Sequence, residues 1–141
     1  MLRQFLFGGF VSICNIIIHA LVMTAVVRVS QAAAAKTSRY DSLFLSAVMA
    51  ATASVLMVAH TCEVLVWSLA YSLIEAVPHN ADYLYFAFVN YTTLGYGDIV
   101  PVQSWRLLGP MTAMNGVLLF GWSTAVLFEV LRKAMTRNPR G

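Results

Sequence analysis

The run Thr92-Thr93-Leu94-Gly95-Tyr96-Gly97-Asp98 carries its chemistry in the backbone more than in the side chains. Two threonine hydroxyls and a series of carbonyls supply oxygen, and two glycines one residue apart can take left-handed dihedrals that a side chain opposes. A backbone turned that way can point successive carbonyls to one side. Such an array suits a hard cation with little geometric demand, and no cluster of Cys, His or carboxylates accompanies it to favour a transition metal. A second set lies upstream. His60, Glu63, Trp67 and Tyr71 are spaced three, four and four, which places them on one helical stripe. Glu63 stands in an otherwise apolar segment, where a carboxylate is costly; it is expected to face protein or water and to pair with His60 one turn earlier. A polar contact tying two helices together is the simpler reading of that pair, and proton sensing is the alternative. Asn15 and His19, four apart, read as a helix contact. Cys14 and Cys62 fall inside apolar runs as inert buried thiols. These residues form no recognisable catalytic set, so no enzyme is expected.

The elements that must position these residues follow from composition. Of 141 residues 60% are hydrophobic, against nine basic and six acidic side chains. That balance excludes an ordinary soluble domain and puts the chain in a lipid bilayer. A net charge of +3 does not imply nucleic acid, because the basic residues sit at the ends of apolar segments and build no basic face. Residues 5–27 form an apolar run long enough to cross a bilayer, and too long for the core of a secretory signal. Residues 28–42 read as a polar connection carrying Arg28, Lys36 and Arg39, although Ala32 to Ala35 would suit a helical extension. Those three bases, with Arg132, Lys133, Arg137 and Arg140 of the tail, make seven of nine on one side, which the positive-inside rule makes cytoplasmic. Residues 43–76 form a second span. Pro78, His79 and Asn80 break it, and Asn80 is the expected cap of a short helix over 82–92, with Asp82 in its first turn. About half a bilayer long, that helix leads directly into the oxygen-rich run, the pattern of a re-entrant loop. After Pro101 and Trp105, residues 107–131 form the last span, interrupted by Gly116 and Gly121, for which packing and flexing are both open.

The sequence TTLGYGD resembles the selectivity filter of the potassium channel family, and residues 71–133 follow that family's order of outer helix, pore helix, filter and inner helix. The resemblance implies an all-α membrane protein of three transmembrane helices plus a re-entrant pore helix and filter loop. It divides the chain into an extra helix over 1–30 and a pore domain over 31–141, with the filter at 93–98. It further implies that the carbonyls of Thr93, Leu94, Gly95 and Tyr96, with the Thr93 hydroxyl, replace the water around a dehydrated potassium ion, and that Gly97 completes the strand. Potassium is the permeant ion; no cofactor is implied. One filter per chain implies a homotetramer in the cell membrane, with an extracellular N-terminus and a cytoplasmic C-terminus.

By the same likeness Thr92, Asp98, Tyr85 and Phe86 support the filter and its mouth, with the Tyr85 hydroxyl bonded to Asp98, and Leu94 and Tyr96 bracing the strand. Gly116, Phe120, Gly121 and Thr124 match the hinge and cavity region. Asn115 reads as an inter-helix bond more readily than as a pore-lining group. The chain departs from the family pattern at Leu94, commonly valine, and at Val89, where some bacterial members carry glutamate. No helix carries the periodic arginines of a voltage sensor. A less selective cation channel and a non-conducting membrane subunit are the alternative readings.

Overall fold

The computed structural model describes residues 1–36, 42–78 and 81–136. Four α-helices form in chain order: α1 (Leu2–Lys36), α2 (Ser42–Leu73), the short α3 (Tyr83–Tyr91) and α4 (Leu108–Thr136), with one 3-10 turn at Gln103–Trp105 before α4. Among the described residues three helical stretches are long and apolar enough to cross a membrane, Leu2–Ala32, Leu43–Leu73 and Gln103–Lys133. The chain is thus an all-α membrane protein. Arg39, Asp41, His79, Asn80, Arg137 and Arg140, on which parts of the topology and capping argument rest, lie outside the described residues.

The first helix is longer than its apolar run predicts. It continues through the alanines to Lys36, so the expected polar connection beginning at Arg28 is mostly helix. Four successive residues of the highest helical propensity extend a helix that nothing at Arg28 stops. At about 52 Å, α1 exceeds the hydrocarbon thickness and must tilt or protrude.

The second helix ends three residues short of the expected boundary. Glu75 adopts a left-handed φ of 50°. Its N–H donates to the Ser72 carbonyl at 3.4 Å, and the Ala76 N–H reaches back to Tyr71 at 3.0 Å. That pair of bonds is a Schellman ending in which glutamate occupies the place glycine usually takes. Ala76 and Tyr71 are both fully buried, so the apolar contact that accompanies such an ending seals it. The Ala76 carbonyl then accepts from the Val102 N–H at 2.9 Å, tying the exit of α2 to the segment that leaves the loop after α3.

Helix α3 starts at Asp82, whose carboxylate accepts from the Leu84 and Tyr85 N–H groups at 2.8 and 3.0 Å. Asp82 is therefore the N-cap itself, where a first-turn acid was expected. Its side chain satisfies two donors that a helix start otherwise leaves open. The short helix lies between α2 and α4, and α1 lies against both of them. Around α3 the core gathers Trp67, Tyr71, Phe86, Tyr91 and Leu108, joined by Val11 of α1. A second core, of Met23, Val26, Leu56, Val126 and Val130, joins the far halves of the three long helices.

The start of α1 is fixed beside the loop that precedes α4. The Arg3 guanidinium stacks 4.2 Å from the Trp105 ring centre, Phe7 packs on the same ring, and the Gln4 amide oxygen accepts from the Leu107 N–H at 2.9 Å. These contacts put the N-terminus at the same end of the bundle as residues 98–107. Arg3 and Arg106, the two bases outside the predicted cytoplasmic set, both lie there; Arg106 bonds Gln103 at 3.1 Å. Cys62 is exposed on the single chain and Cys14 is partly buried, so neither is the fully buried thiol expected.

The strained end of α2 makes a direct prediction. Glu75→Gly removes the left-handed penalty of a side chain, so unfolding of the detergent-solubilised protein should need about 1 kcal/mol more free energy than wild type. Glu75→Val, β-branched at the same φ, should shift stability the opposite way.

Candidate functional site

The segment after α3 has an alternating backbone. Thr93, Gly95 and Gly97 take positive φ of 60°, 60° and 79°, and the residues between them do not. For the glycines this conformation is unopposed; for Thr93 it is strained, which marks a position fixed by its surroundings. Alternation of this kind turns successive carbonyls toward one side of the strand. The strand's amides are tied backward: Thr93 N–H bonds Asn90 O at 3.0 Å, and Leu94 and Gly95 N–H both reach Val89 O, at 2.9 and 3.3 Å. The last turn of α3 therefore holds the first three amides while the carbonyls stay free. Among the described residues no protein donor reaches the carbonyl of Thr93, Leu94, Gly95, Tyr96 or Gly97.

The hydroxyls lie close by. Thr92 Oγ1 donates to Phe88 O at 2.7 Å, and Thr93 Oγ1 donates to Thr92 O at 2.6 Å, which leaves the lone pairs of the Thr93 hydroxyl available to a cation. Thr92 through Asp98 are exposed on the single chain. Leu94 and Tyr96 are 54% and 68% exposed, so the bracing expected of them is not made within one chain. Phe86 is buried, its ring tilted against that of Tyr71 with centres 4.9 Å apart, and it secures α3 to α2.

At the open end the Tyr85 hydroxyl donates to Asp98 at 2.6 Å, and the other carboxylate oxygen accepts from the Ile99 N–H at 3.0 Å. The expected bond across α3 and the loop is present. The Tyr85 bond, assisted by the Ile99 amide, holds the Asp98 carboxyl below its ordinary range, and the carboxylate in turn pushes the Tyr85 hydroxyl above its own.

Inside the bundle, polar groups from all four helices meet. Glu63 Oε1 bonds His19 Nδ1 at 2.8 Å, Oε2 bonds His60 Nδ1 at 3.0 Å, and the Tyr91 hydroxyl donates to Oε2. Ser123 Oγ lies 2.9 Å from His60 Nε2 and 3.4 Å from His19 Nε2. One layer away, Asn115 Oδ1 accepts from Trp67 Nε1 at 3.1 Å and from Asn15 Nδ2 at 3.2 Å. His19 and Glu63 are wholly buried, and His60 is nearly so. His19, His60 and Glu63 bring three ligand-type atoms within 4.8 Å of one another, yet the same atoms already satisfy each other as hydrogen-bond partners. The expected His60 and Glu63 pair is thus half of a larger cluster. Asn15 and His19 were legible as a polar face of α1; Tyr91 and Ser123 carried no signal in sequence, being ordinary residues in apolar helices.

The inner-helix residues separate. A Cβ on Gly116 would fall on the Tyr91 carbonyl oxygen, so this glycine admits the end of α3 against α4. Gly121 has open space, and packing within the chain places no demand on it. The Phe120 ring sits 4.4 Å from His60 and 5.4 Å from Tyr91, one face on the polar cluster. Thr124 is exposed and bonds its own helix at Phe120 O, 3.0 Å away. Asn115 is buried among helices, as an inter-helix bond requires. Glu129 pairs with Lys133 at 3.0 Å, and with Arg132 as well.

A family model described as ion channel matches residues 59–133, more than half of the chain, from the polar stripe of α2 to near the end of α4. No curated protein and no solved structure matches it.

Two outcomes follow from this geometry. Because the Tyr85 bond depresses the Asp98 pKa, the bond is intact above the ordinary aspartate range and is lost as pH falls through the lowered value. Tyr85→Phe should therefore move the Asp98 titration upward, read by carboxyl carbon NMR. Gly116→Ala meets rigid backbone and should cost about 1 to 3 kcal/mol. Gly121→Ala should instead be neutral or stabilising by up to about 1 kcal/mol, both measured as unfolding in detergent.

Proposed function

Because this chain belongs to the ion channel family, we propose that it is a potassium-selective channel whose conduction path is lined by the main-chain oxygens of Thr93, Leu94, Gly95 and Tyr96. The observation that carries the reading is the strand itself, with alternating left-handed dihedrals at 93, 95 and 97 and carbonyls that no protein donor among the described residues reaches. At membrane depth, unpaired backbone oxygens are tolerated only where they line a polar path. A dehydrated potassium ion supplies the missing partner, and the oxygens replace its water.

One strand encloses nothing. The exposure of the whole run from Thr92 to Asp98, and of Leu94 and Tyr96 in particular, supports closure by copies of the chain around a shared axis, four in the proposed arrangement. Side chains that find no support within one chain then brace against the next. The mechanism asks little further chemistry of the protein. Asp98, kept ionised by Tyr85, raises the local cation concentration at the mouth. The C-terminal end of α3 carries the negative end of its helix dipole and favours a cation beneath the filter. Ions then advance from site to site by mutual displacement.

The start of α1 shares an end of the bundle with the mouth, and Arg132 and Lys133 lie near the C-terminal end of α4, at the other end. With the positive-inside rule this supports a mouth and N-terminus facing outward in a cell membrane.

Purified chain in liposomes tests the proposal. Under opposed gradients of potassium and sodium, the reversal potential should follow the potassium gradient, and Gly95→Ala should abolish the current, because its φ of 60° opposes a side chain. A reversal potential midway between the two gradients would indicate a less selective cation pore, and impermeable liposomes would overturn the reading.

A further inference from the structure

The buried cluster can be counted in protons. Four links form a closed ring: Glu63 Oε1 to His19 Nδ1, His19 Nε2 to Ser123 Oγ, Ser123 Oγ to His60 Nε2, and His60 Nδ1 back to Glu63 Oε2. Each link needs one proton. An ionised carboxylate brings none, two neutral imidazoles bring one each, and the serine hydroxyl brings one, three in all. The ring is one proton short. The carboxylate only accepts, and the Tyr91 hydroxyl, whose proton goes to Glu63 Oε2, faces His60 Nδ1 at 2.9 Å as a second acceptor; both imidazoles therefore donate through Nδ1, which leaves both Nε2 atoms as acceptors facing a hydroxyl that can donate to one of them. The weakest link, at 3.4 Å, lies on that contested hydroxyl.

We infer that Glu63, His19 and His60 form a proton-binding site inside the membrane, taking up one proton that completes the ring and cancels the buried carboxylate charge. With Tyr91 also donating to the carboxylate, the added proton belongs on an imidazole nitrogen. The groups facing Glu63 are few. Helix α1 presents His19 and the uncharged Asn15, α2 presents His60, α3 presents Tyr91, and α4 presents the uncharged Ser123 and Asn115. No lysine, arginine or second carboxylate among the described residues bonds to the cluster, so the imidazoles are its only cationic counterpart. An uncompensated carboxylate in this position is costly, and an imidazolium held between two acceptors removes that cost.

The site is joined to the conduction path. Tyr91 is the last residue of α3, two before Thr93, and its carbonyl rests where Gly116 has no side chain, while its hydroxyl ends on Glu63. Loss of the proton breaks a link of the ring and leaves a bare charge beside the hydroxyl that fixes the end of α3. Phe120 of α4 packs against both rings, tilted to His60 and edge-on to Tyr91, and so links them to the inner helix. Protonation thus holds the filter in its conducting form, and His19 makes α1 a working part of the pore. This coupling rests on the potassium reading above; the proton count does not.

The full chain with nitrogen-15 histidine, in bilayers and in a His79→Gln background that removes the third histidine's signal, tests both parts. In the proton-bound form three of the four ring nitrogens of His19 and His60 should be protonated. Raising the pH, within the range in which the protein stays folded, should remove one, with potassium flux falling severalfold over the same interval. In His19→Gln, whose amide still donates to Glu63 but does not titrate, flux should lose its pH dependence. Two protonated nitrogens at every pH at which the protein is folded would overturn the site. A titration with unchanged flux, or a His19→Gln flux profile that superimposes on the parent's, would overturn the coupling. The titration without potassium flux at any pH would support the site and contradict the conduction reading alone.

Discussion

A carbonyl oxygen at membrane depth has to meet a donor or a cation, and this single constraint governs how the chain is built. Helices answer it internally, which is why three long helices account for most of the sequence. The strand from Thr93 to Gly97 does not. The amides of Thr93, Leu94 and Gly95 are drawn back to Val89 and Asn90, and no protein donor among the described residues reaches the strand's oxygens. Everything around the strand serves to keep it in that state. Asp82 starts α3 cleanly, Gly116 lets α4 approach the helix end, Tyr85 and Asp98 tie the loop after the strand back to α3, and the Ala76 to Val102 bond fastens its exit.

The end of α3 is where the four helices come to bear on that strand. Its carbonyl side meets α4 at Gly116, and its tyrosine hydroxyl meets α2 at Glu63, which α1 reaches through His19. A polar cluster in this position is expensive to bury unless every group is matched. That cost also gives it specificity: a helix lacking Asn15 and His19 could cover the same apolar surface but would leave Glu63 and Asn115 short of partners. The first helix, which the family match does not include, is therefore docked by definite chemistry as well as by apolar area.

Much of this was legible in sequence where a residue type has one structural meaning. Gly95 and Gly97 announced left-handed backbone and an eleven-residue segment before them announced a short helix, while the Tyr85 partner of Asp98 came from the family resemblance and not from residue type alone. Legibility failed where tertiary context overrode the local signal. Glu75 and Thr93 occupy left-handed positions that composition assigns to glycine, because the buried turn at Ala76 and the end of α3 impose them. Asp82 took the capping role expected of Asn80. The alanines after Arg28 made helix, not loop, since propensity met no stop signal. Tyr91 and Ser123 could not be singled out, because a hydroxyl on an apolar helix announces a polar cluster only once the facing helices are in place.

The most direct measurement is crystallographic. The assembled protein, crystallised with rubidium in place of potassium, should show anomalous density on a fourfold axis, coordinated by the carbonyl oxygens of Thr93, Leu94, Gly95 and Tyr96. Density absent from that axis, or chains assembled with the strand turned away from it, would contradict the account.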